Sequence, residues 1–159
     1  MIIEYKDAYL EDIRDLLVEL EEYIVSIDKD NLDTIHSDYR EMVAIKDLDN
    51  IKNNKGKCYL YIENGKVIGL VMGILTKYDD YDYLDYKCPK RGEIIELIVS
   101  SKARSKVIGK LLIEKMEEYF KMVGCEYVIV DVFGYNDLGK RFYNKNDYHT
   151  RMETMIKKL

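Results

Sequence analysis

The chain has 159 residues, 47% hydrophobic and 35% charged, with a formal net charge of −5. That length and balance suit one folded domain with its own core and exclude a disordered chain. The acidic balance argues against general nucleic-acid binding, and no apolar run approaches the roughly 20 residues that span a bilayer.

Residues 1–7 lack the charged-then-apolar profile of a secretory signal, so a cytoplasmic protein with no membrane partner is expected. Cys58, Cys88 and Cys125 are widely separated and form neither a metal spacing nor a disulfide framework. Cys58 and Cys125 sit in apolar strand contexts and read as buried thiols. His36 and His149 are too isolated to suggest a metal site, so no metal is expected.

Residues 2–5 read as a short first strand. Asp7 is placed to cap a helix in which Tyr9, Ile13, Leu16, Leu17, Leu20, Tyr23, Ile24 and Ile27 recur at helical spacing. The polar break at 28–31 precedes a second, weaker helix over 32–51, with Ile35, Tyr39, Met42, Val43 and Ile45 on its inner side. Residues 57–63 and 66–75 are strands joined by Asn64-Gly65, a strong hairpin signal. Gly69 and Gly73 predict a bulge or the close approach of another backbone.

Residues 76–91, TKYDDYDYLDYKCPKR, alternate tyrosine with aspartate and contain the chain's single proline. They read as an exposed loop or strand extension, suited to a dimer edge. The functional alternative is an acidic, aromatic wall that draws in a cationic substrate.

The stretch 93–120 organises the rest. A strand, with Glu96, Leu97, Ile98 and Val99 at its end, leads through a basic turn into an amphipathic helix. The expected inner face of that helix is Ile108, Leu111, Leu112, Met116, Tyr119, Phe120 and Val123. Its charge order is reversed. Lys102, Arg104, Lys106 and Lys110 crowd the start, whereas Glu114, Glu117 and Glu118 come later. A helix N-terminus carries partial positive charge, so bases there cost stability unless an external anion binds. A merely solvated charged face is the competing reading. Gly124 then ends the helix, residues 127–133 form an apolar strand, and residues 137–144 a short helix. Residues 148–157 alternate Tyr148, Thr150, Met152, Thr154 and Ile156 on one face and read as a last strand. The order β-α-α-β-β-β-α-β-α-β describes one α/β (α+β) domain over 1–159.

With these elements in place, the chain resembles the GNAT superfamily of acetyl-CoA-dependent N-acetyltransferases. The family's pyrophosphate loop, [RQ]-x-x-G-x-[GA] after a strand ending L-x-V, falls on Leu97-Ile98-Val99 and Arg104-Ser105-Lys106-Val107-Ile108-Gly109. Its C-terminal signature, N-x-x-[AG]-x-x-F-Y, falls on Asn136, Gly139, Phe142 and Tyr143. Two positions depart from the pattern. Val107 replaces the first loop glycine, and Asp147 replaces the glycine before the last strand. A Cβ at 107 would crowd the pyrophosphate or restrict the turn and so weaken cofactor binding. Asp147 is the kind of residue that tolerates a left-handed turn.

The resemblance implies a mixed, mostly antiparallel sheet flanked by helices, whose fourth and fifth strands splay apart. It implies acetyl-CoA as co-substrate. Leu97, Ile98 and Val99 would meet the pantetheine arm; residues 104–109, with Lys110 and Asn136, would meet the remainder of the cofactor. By motif position Tyr143 is the general acid, or else a core tyrosine beside Phe142. Glu96 is the candidate base, with Glu93 in reserve, because an amine must lose a proton before it attacks. Alternation sets Glu96 on the sheet face opposite Leu97 and Ile95. Asn136 also suits a helix cap. The acceptor would be a small-molecule or peptide amine, and the family allows a homodimer. The alternative function is a non-catalytic acyl-CoA sensor or interaction module on the same fold.

Overall fold

A computed structural model describes residues 1–103 and 107–159. The elements are β1 (Ile2–Glu4), α1 (Leu10–Ile27), α2 (Tyr39–Asn53), β2 (Lys57–Glu63), β3 (Lys66–Leu75), β4 (Arg91–Val99), α3 (Ile108–Met122), β5 (Tyr127–Val130) and α4 (Asp137–Lys145). Single 3-10 turns occupy Asp7–Tyr9, Asp82–Leu84 and Ser101–Ala103. The strands lie in one sheet, in the order β1-β2-β3-β4-β5. Neighbours are antiparallel except β4 and β5, which run parallel.

Two buried clusters cover the two faces of this sheet. On one face α1 and α2 bring Ile13, Leu16, Leu17, Val43 and Ala44 against Leu60, Leu70, Met72 and Ile98. On the other, α3 brings Ile108, Leu112, Ile113, Met116 and Phe120 against Val71 and Ile94. The β2–β3 hairpin forms where the turn chemistry predicts it. Asn64 (φ 51°) and Gly65 (φ 77°) both take the left-handed conformation that a two-residue hairpin of this twist requires. Gly124 (φ 84°) ends α3 as expected, and Asp147 (φ 66°) makes the left-handed turn after α4.

Two register breaks matter. In β3 the pairing passes from Tyr61↔Gly69 to Ile62↔Val67, which leaves Ile68 as an extra residue. In β4 it passes from Met72↔Glu96 to Gly73↔Ile94, which leaves Ile95 unpaired. A bulge of this kind re-aims side chains and bends the strand. Pairing of β4 with β5 covers only residues 91–94 against 127–130. Beyond the bulge the two strands part, which is the expected splay.

Several local expectations need correction. Asp7 does not cap α1; it lies inside the 3-10 turn, and the residue preceding α1 is Tyr9, with no side-chain cap. The second helix starts at Tyr39 rather than 32. The Asp28 carboxylate accepts the backbone N–H groups of Asp30, Leu32 and Asp33 and holds that segment as a loop. The inner face of α2 is Val43, Ala44 and Asp47, whereas Ile35, Met42 and Ile45 are exposed. In α3, Leu111 is exposed and Ile113 is buried. The expectation at Gly69 and Gly73 holds, since both stand at register breaks; a Cβ at Gly73 would meet the Phe120 ring, the Met116 sulfur and, at 3.1 Å, the Glu93 carbonyl oxygen. Cys58 is buried, but Cys125 only half so. Residues 149–159 form no strand, and Met152, Met155 and Ile156 face solvent. Alternation alone does not make a strand; a partner edge must bury one face and accept its hydrogen bonds. Here Tyr148 alone packs inward, against the α3 cluster.

Candidate active site

The parting of β4 and β5 opens a cavity of about 200 Å³. Its walls come from four elements: Leu20, Glu21 and Ile24 of α1; residues 94–97 of β4; residues 130–133 at and after the end of β5; and Asn136 and Tyr143 at and within α4. Past Ile94, β4 has β3 on one side and, among the described residues, no strand on the other. Backbone N–H and C=O groups on that open edge can receive an extended ligand as a further strand would be received.

Glu96, from the strand just before Leu97, and Tyr143, from the C-terminal signature, both line this cavity. The bulge at Ile95 decides how Glu96 gets there. Glu96 stands opposite Met72, on the sheet face covered by α1 and α2, and Leu97 stands opposite Val71 on the α3 face. The expected opposition of Glu96 and Leu97 is present. The expected opposition of Glu96 and Ile95 is not, because Ile95 packs against the same α1/α2 cluster. The half-buried Glu96 carboxyl is pushed up to about 8, first by burial and then by the charges of Asp47 and Glu21, with Lys46 opposing. A carboxyl with that proton affinity is matched to proton transfer near neutral pH. Glu93 is also raised, by burial and by Asp131; its carboxylate accepts the Thr76 hydroxyl at 3.4 Å, and it does not line the cavity.

Tyr143 is held by rings. Its centroid lies 5.3 Å from Phe142 and 5.5 Å from Tyr148, both edge-on. Burial and the charge of Glu96 raise its proton affinity, so it stays a neutral O–H donor throughout the physiological range. Asn136 does cap a helix: its Oδ1 accepts the Gly139 N–H at 2.8 Å and the Tyr23 hydroxyl at 3.3 Å. The second bond ties α1 to α4 across the cavity. Gly139 leaves room for this cap, since a Cβ there would lie 2.6 Å from the Asn136 amide nitrogen.

At the start of α3, Arg104, Ser105 and Lys106 lie outside the described residues. Val107 precedes the helix with φ −66°, an ordinary conformation, and its side chain is 68% exposed. The turn therefore does not demand glycine at this position. Ile108 is buried in the α3 cluster, whereas Lys110 is exposed and lies 3.7 Å from Glu114. Gly109 fits under α4: a Cβ there would lie 3.2 Å from Phe142. Gly109 of the first motif thus lies against Phe142 of the second. Ile98 points into the α1/α2 cluster, so its backbone alone faces the open edge.

The aspartate- and tyrosine-rich segment takes no part in the cavity wall. Tyr78 stacks under the Arg91 guanidinium at 4.5 Å, and Tyr81 and Tyr83 are exposed. Glu21, Asp47 and Asp131 were not apparent as site residues. Only Asp47 left a trace in the sequence, as an acid four residues after Val43 on an apolar helical stripe. Among the described residues no cluster of three or more His, Cys, Asp or Glu could hold a metal ion, and no helix is long and apolar enough to cross a membrane.

Comparison with known proteins agrees with this geometry. Residues 10–148 match the model of the acetyltransferase (GNAT) family. An uncharacterised N-acetyltransferase of Methanocaldococcus jannaschii is 30% identical over 96 residues, which are 59% of this chain and 54% of that protein. The match thus spans about half the length of that relative. Among solved structures, a mutant form of a Bacillus halodurans protein superposes with a TM-score of 0.79 at 20% identity, covering 100% of this chain and 99% of that one. An aminoglycoside N-acetyltransferase in complex with CoA superposes with a TM-score of 0.70 at 12% identity, covering 100% and 98%. At such identities the likeness concerns the fold.

Proposed function

This chain belongs to the GNAT family of acetyltransferases, and on that premise we propose that it moves an acetyl group from acetyl-CoA to a primary amine by direct attack. The observation that carries the reading is the juxtaposition of Glu96 and Tyr143 in one cavity, at the point where β4 loses its neighbour.

Acetyl-CoA supplies the activated thioester. Its pantetheine arm fits the open edge of β4 near Leu97, Ile98 and Val99, and its pyrophosphate the N-terminal turn of α3, with Val107, Ile108, Gly109 and Lys110. By the motif, Arg104, Ser105 and Lys106 complete that turn. A backbone N–H of β4 meets the charge that develops on the carbonyl oxygen. Glu96 takes the proton of the acceptor's ammonium, directly or through water, and frees the lone pair that attacks. Tyr143 donates its hydroxyl proton to the departing thiolate and takes up the second proton of the nitrogen as the intermediate collapses to the amide. Asn136 sets the start of α4 and with it the position of Tyr143. The acceptor is a small-molecule or peptide amine, and the protein acts in the cytoplasm without a metal. A homodimer would use the exposed segment 76–91.

Titration calorimetry with acetyl-CoA, followed by thiol release with a panel of primary amines, tests this. The panel contains a diamine, an amino sugar and an alanine-initiated peptide. Binding with thiol release on at least one amine is expected. Binding without release on any would favour a sensor, and absence of acetyl-CoA binding would overturn the reading.

A further inference from the structure

Asp47 is the one buried charged residue among those described, at 3% exposure. Its Oδ2 is buried and has no hydrogen-bond partner among the described residues. Its Oδ1 lies 3.8 Å from the Nζ of Lys46, whose side chain is itself 79% exposed. Burial disfavours a carboxylate left without partners, so an isolated, ionised Asp47 is not a stable arrangement. A buried polar atom without a partner calls for a reason.

The placement of Asp47 supplies one. It follows Val43 and Ala44 by four and three residues and shares their helical face. Those two residues pack in the cluster that holds Met72 and Ile98. Met72 is the cross-strand partner of Glu96. Asp47 and Glu96 therefore lie on the same side of the sheet, one on α2 and one on β4, near enough for the charge of Asp47 to act on Glu96. Burial raises the proton affinity of Asp47, and burial together with the charge of Asp47 raises that of Glu96. The charged and titratable groups that bear on the two are Glu21 of α1, Tyr39 and Lys46 of α2, Cys58 of β2 and Tyr143 of α4. Glu21 already accepts the Tyr39 hydroxyl at 3.3 Å. Lys46 is the single cation in the set.

We propose that Asp47 and Glu96 form a coupled carboxyl pair beneath the cavity, in which Asp47 is a positioning residue that strengthens Glu96 as a proton acceptor. This rests on the reading of Glu96 as the base. At rest the pair holds one proton and one negative charge, as two carboxyls in a water-poor site do. Reaction proceeds from the form of the pair whose proton lies on Asp47: when the acceptor binds, an ammonium N–H bond breaks and a Glu96 O–H bond forms. The nitrogen keeps the electron pair and attacks. The pair then holds two protons and no charge, and the extra proton passes to water after the acetylated amine leaves.

The test compares kcat/KM against pH for the unmodified enzyme and Asp47→Asn, on the fastest amine of the panel. Removing the Asp47 charge should move the acid limb to lower pH by at least roughly half a unit. An unmoved limb overturns the proposal. Should Asp47→Asn not fold, carboxyl 13C NMR of the unmodified protein and of Glu96→Gln decides the matter. The Asp47 signal should titrate at lower pH once Glu96 is an amide, and an unchanged titration overturns the pairing. Full turnover by Glu96→Gln would instead remove Glu96 as the base; the NMR titration still judges the pair by itself.

Discussion

Replacing Glu96 by Gln should make the protein more stable, and increasingly so as the pH rises. The carboxyl has an ordinary value of 4.5 and is pushed up to about 8 in the folded chain. Below 4.5 it is protonated both folded and unfolded and adds no pH dependence. Between 4.5 and about 8 the unfolded chain loses the proton while the folded chain keeps it, so stability falls with rising pH. Above about 8 both forms are ionised and the slope ends. At about 1.4 kcal/mol per pH unit, the ceiling of this loss is about 5 kcal/mol. Water reaches part of this half-buried group and the site relaxes, so roughly half of that is expected. Gln is nearly isosteric and cannot ionise. Urea unfolding of both proteins at about pH 5 and about pH 9 reads the difference, from midpoints at constant slope. The unmodified protein should lose roughly 2–3 kcal/mol relative to Glu96→Gln between those conditions. Parallel stabilities would refute the argument, because they would mean that Glu96 keeps an ordinary carboxylate environment.

Three further substitutions separate binding, chemistry and structure. Tyr143→Phe keeps the ring contacts with Phe142 and Tyr148 and removes the donor; turnover should fall by about tenfold or more with the KM for acetyl-CoA nearly unchanged, in steady-state thiol release. Asn136→Ala removes the acceptor for the Gly139 N–H and for the Tyr23 hydroxyl, and should cost about 1 kcal/mol in urea unfolding. Val107→Gly should change the acetyl-CoA Kd by less than about threefold, under 1 kcal/mol in calorimetry, because Val107 has an ordinary φ and an exposed side chain. A tenfold gain in affinity would show that the Cβ crowds the pyrophosphate.

The cavity also accounts for the place of the two motifs in the chain. Gly109 and Phe142 are contacts of one another, so the start of α3 and the signature in α4 pack together. They sit beside the open edge of β4, which brings a proton donor on α4 near an acid on a strand 47 residues earlier in sequence.

Local chemistry was enough for much of this. Asn64-Gly65 specifies a hairpin because both residues tolerate positive φ, and the strands on either side have the bounds that the turn implies. The apolar spacing of α1 and α3 marks their inner faces because a helix repeats every 3.6 residues whatever packs against it. Asn136 and Tyr143 are legible by their motif positions, and Glu96 by its place on the strand just before Leu97. Tertiary structure decided the rest. Strand alternation put Ile95 opposite Glu96, and the extra residue at Ile95 put them on the same side. A bulge is a property of two strands in register, so one strand's sequence does not contain it. The segment 148–157 has a strand's alternation but no strand, because pairing depends on an edge elsewhere in the chain. Asp47 reads in the sequence as one acid on a weak helix. Its burial beside the sheet face that carries Glu96 exists only once α2 is laid against β2 and β3, because burial belongs to the packing of elements that are distant in sequence.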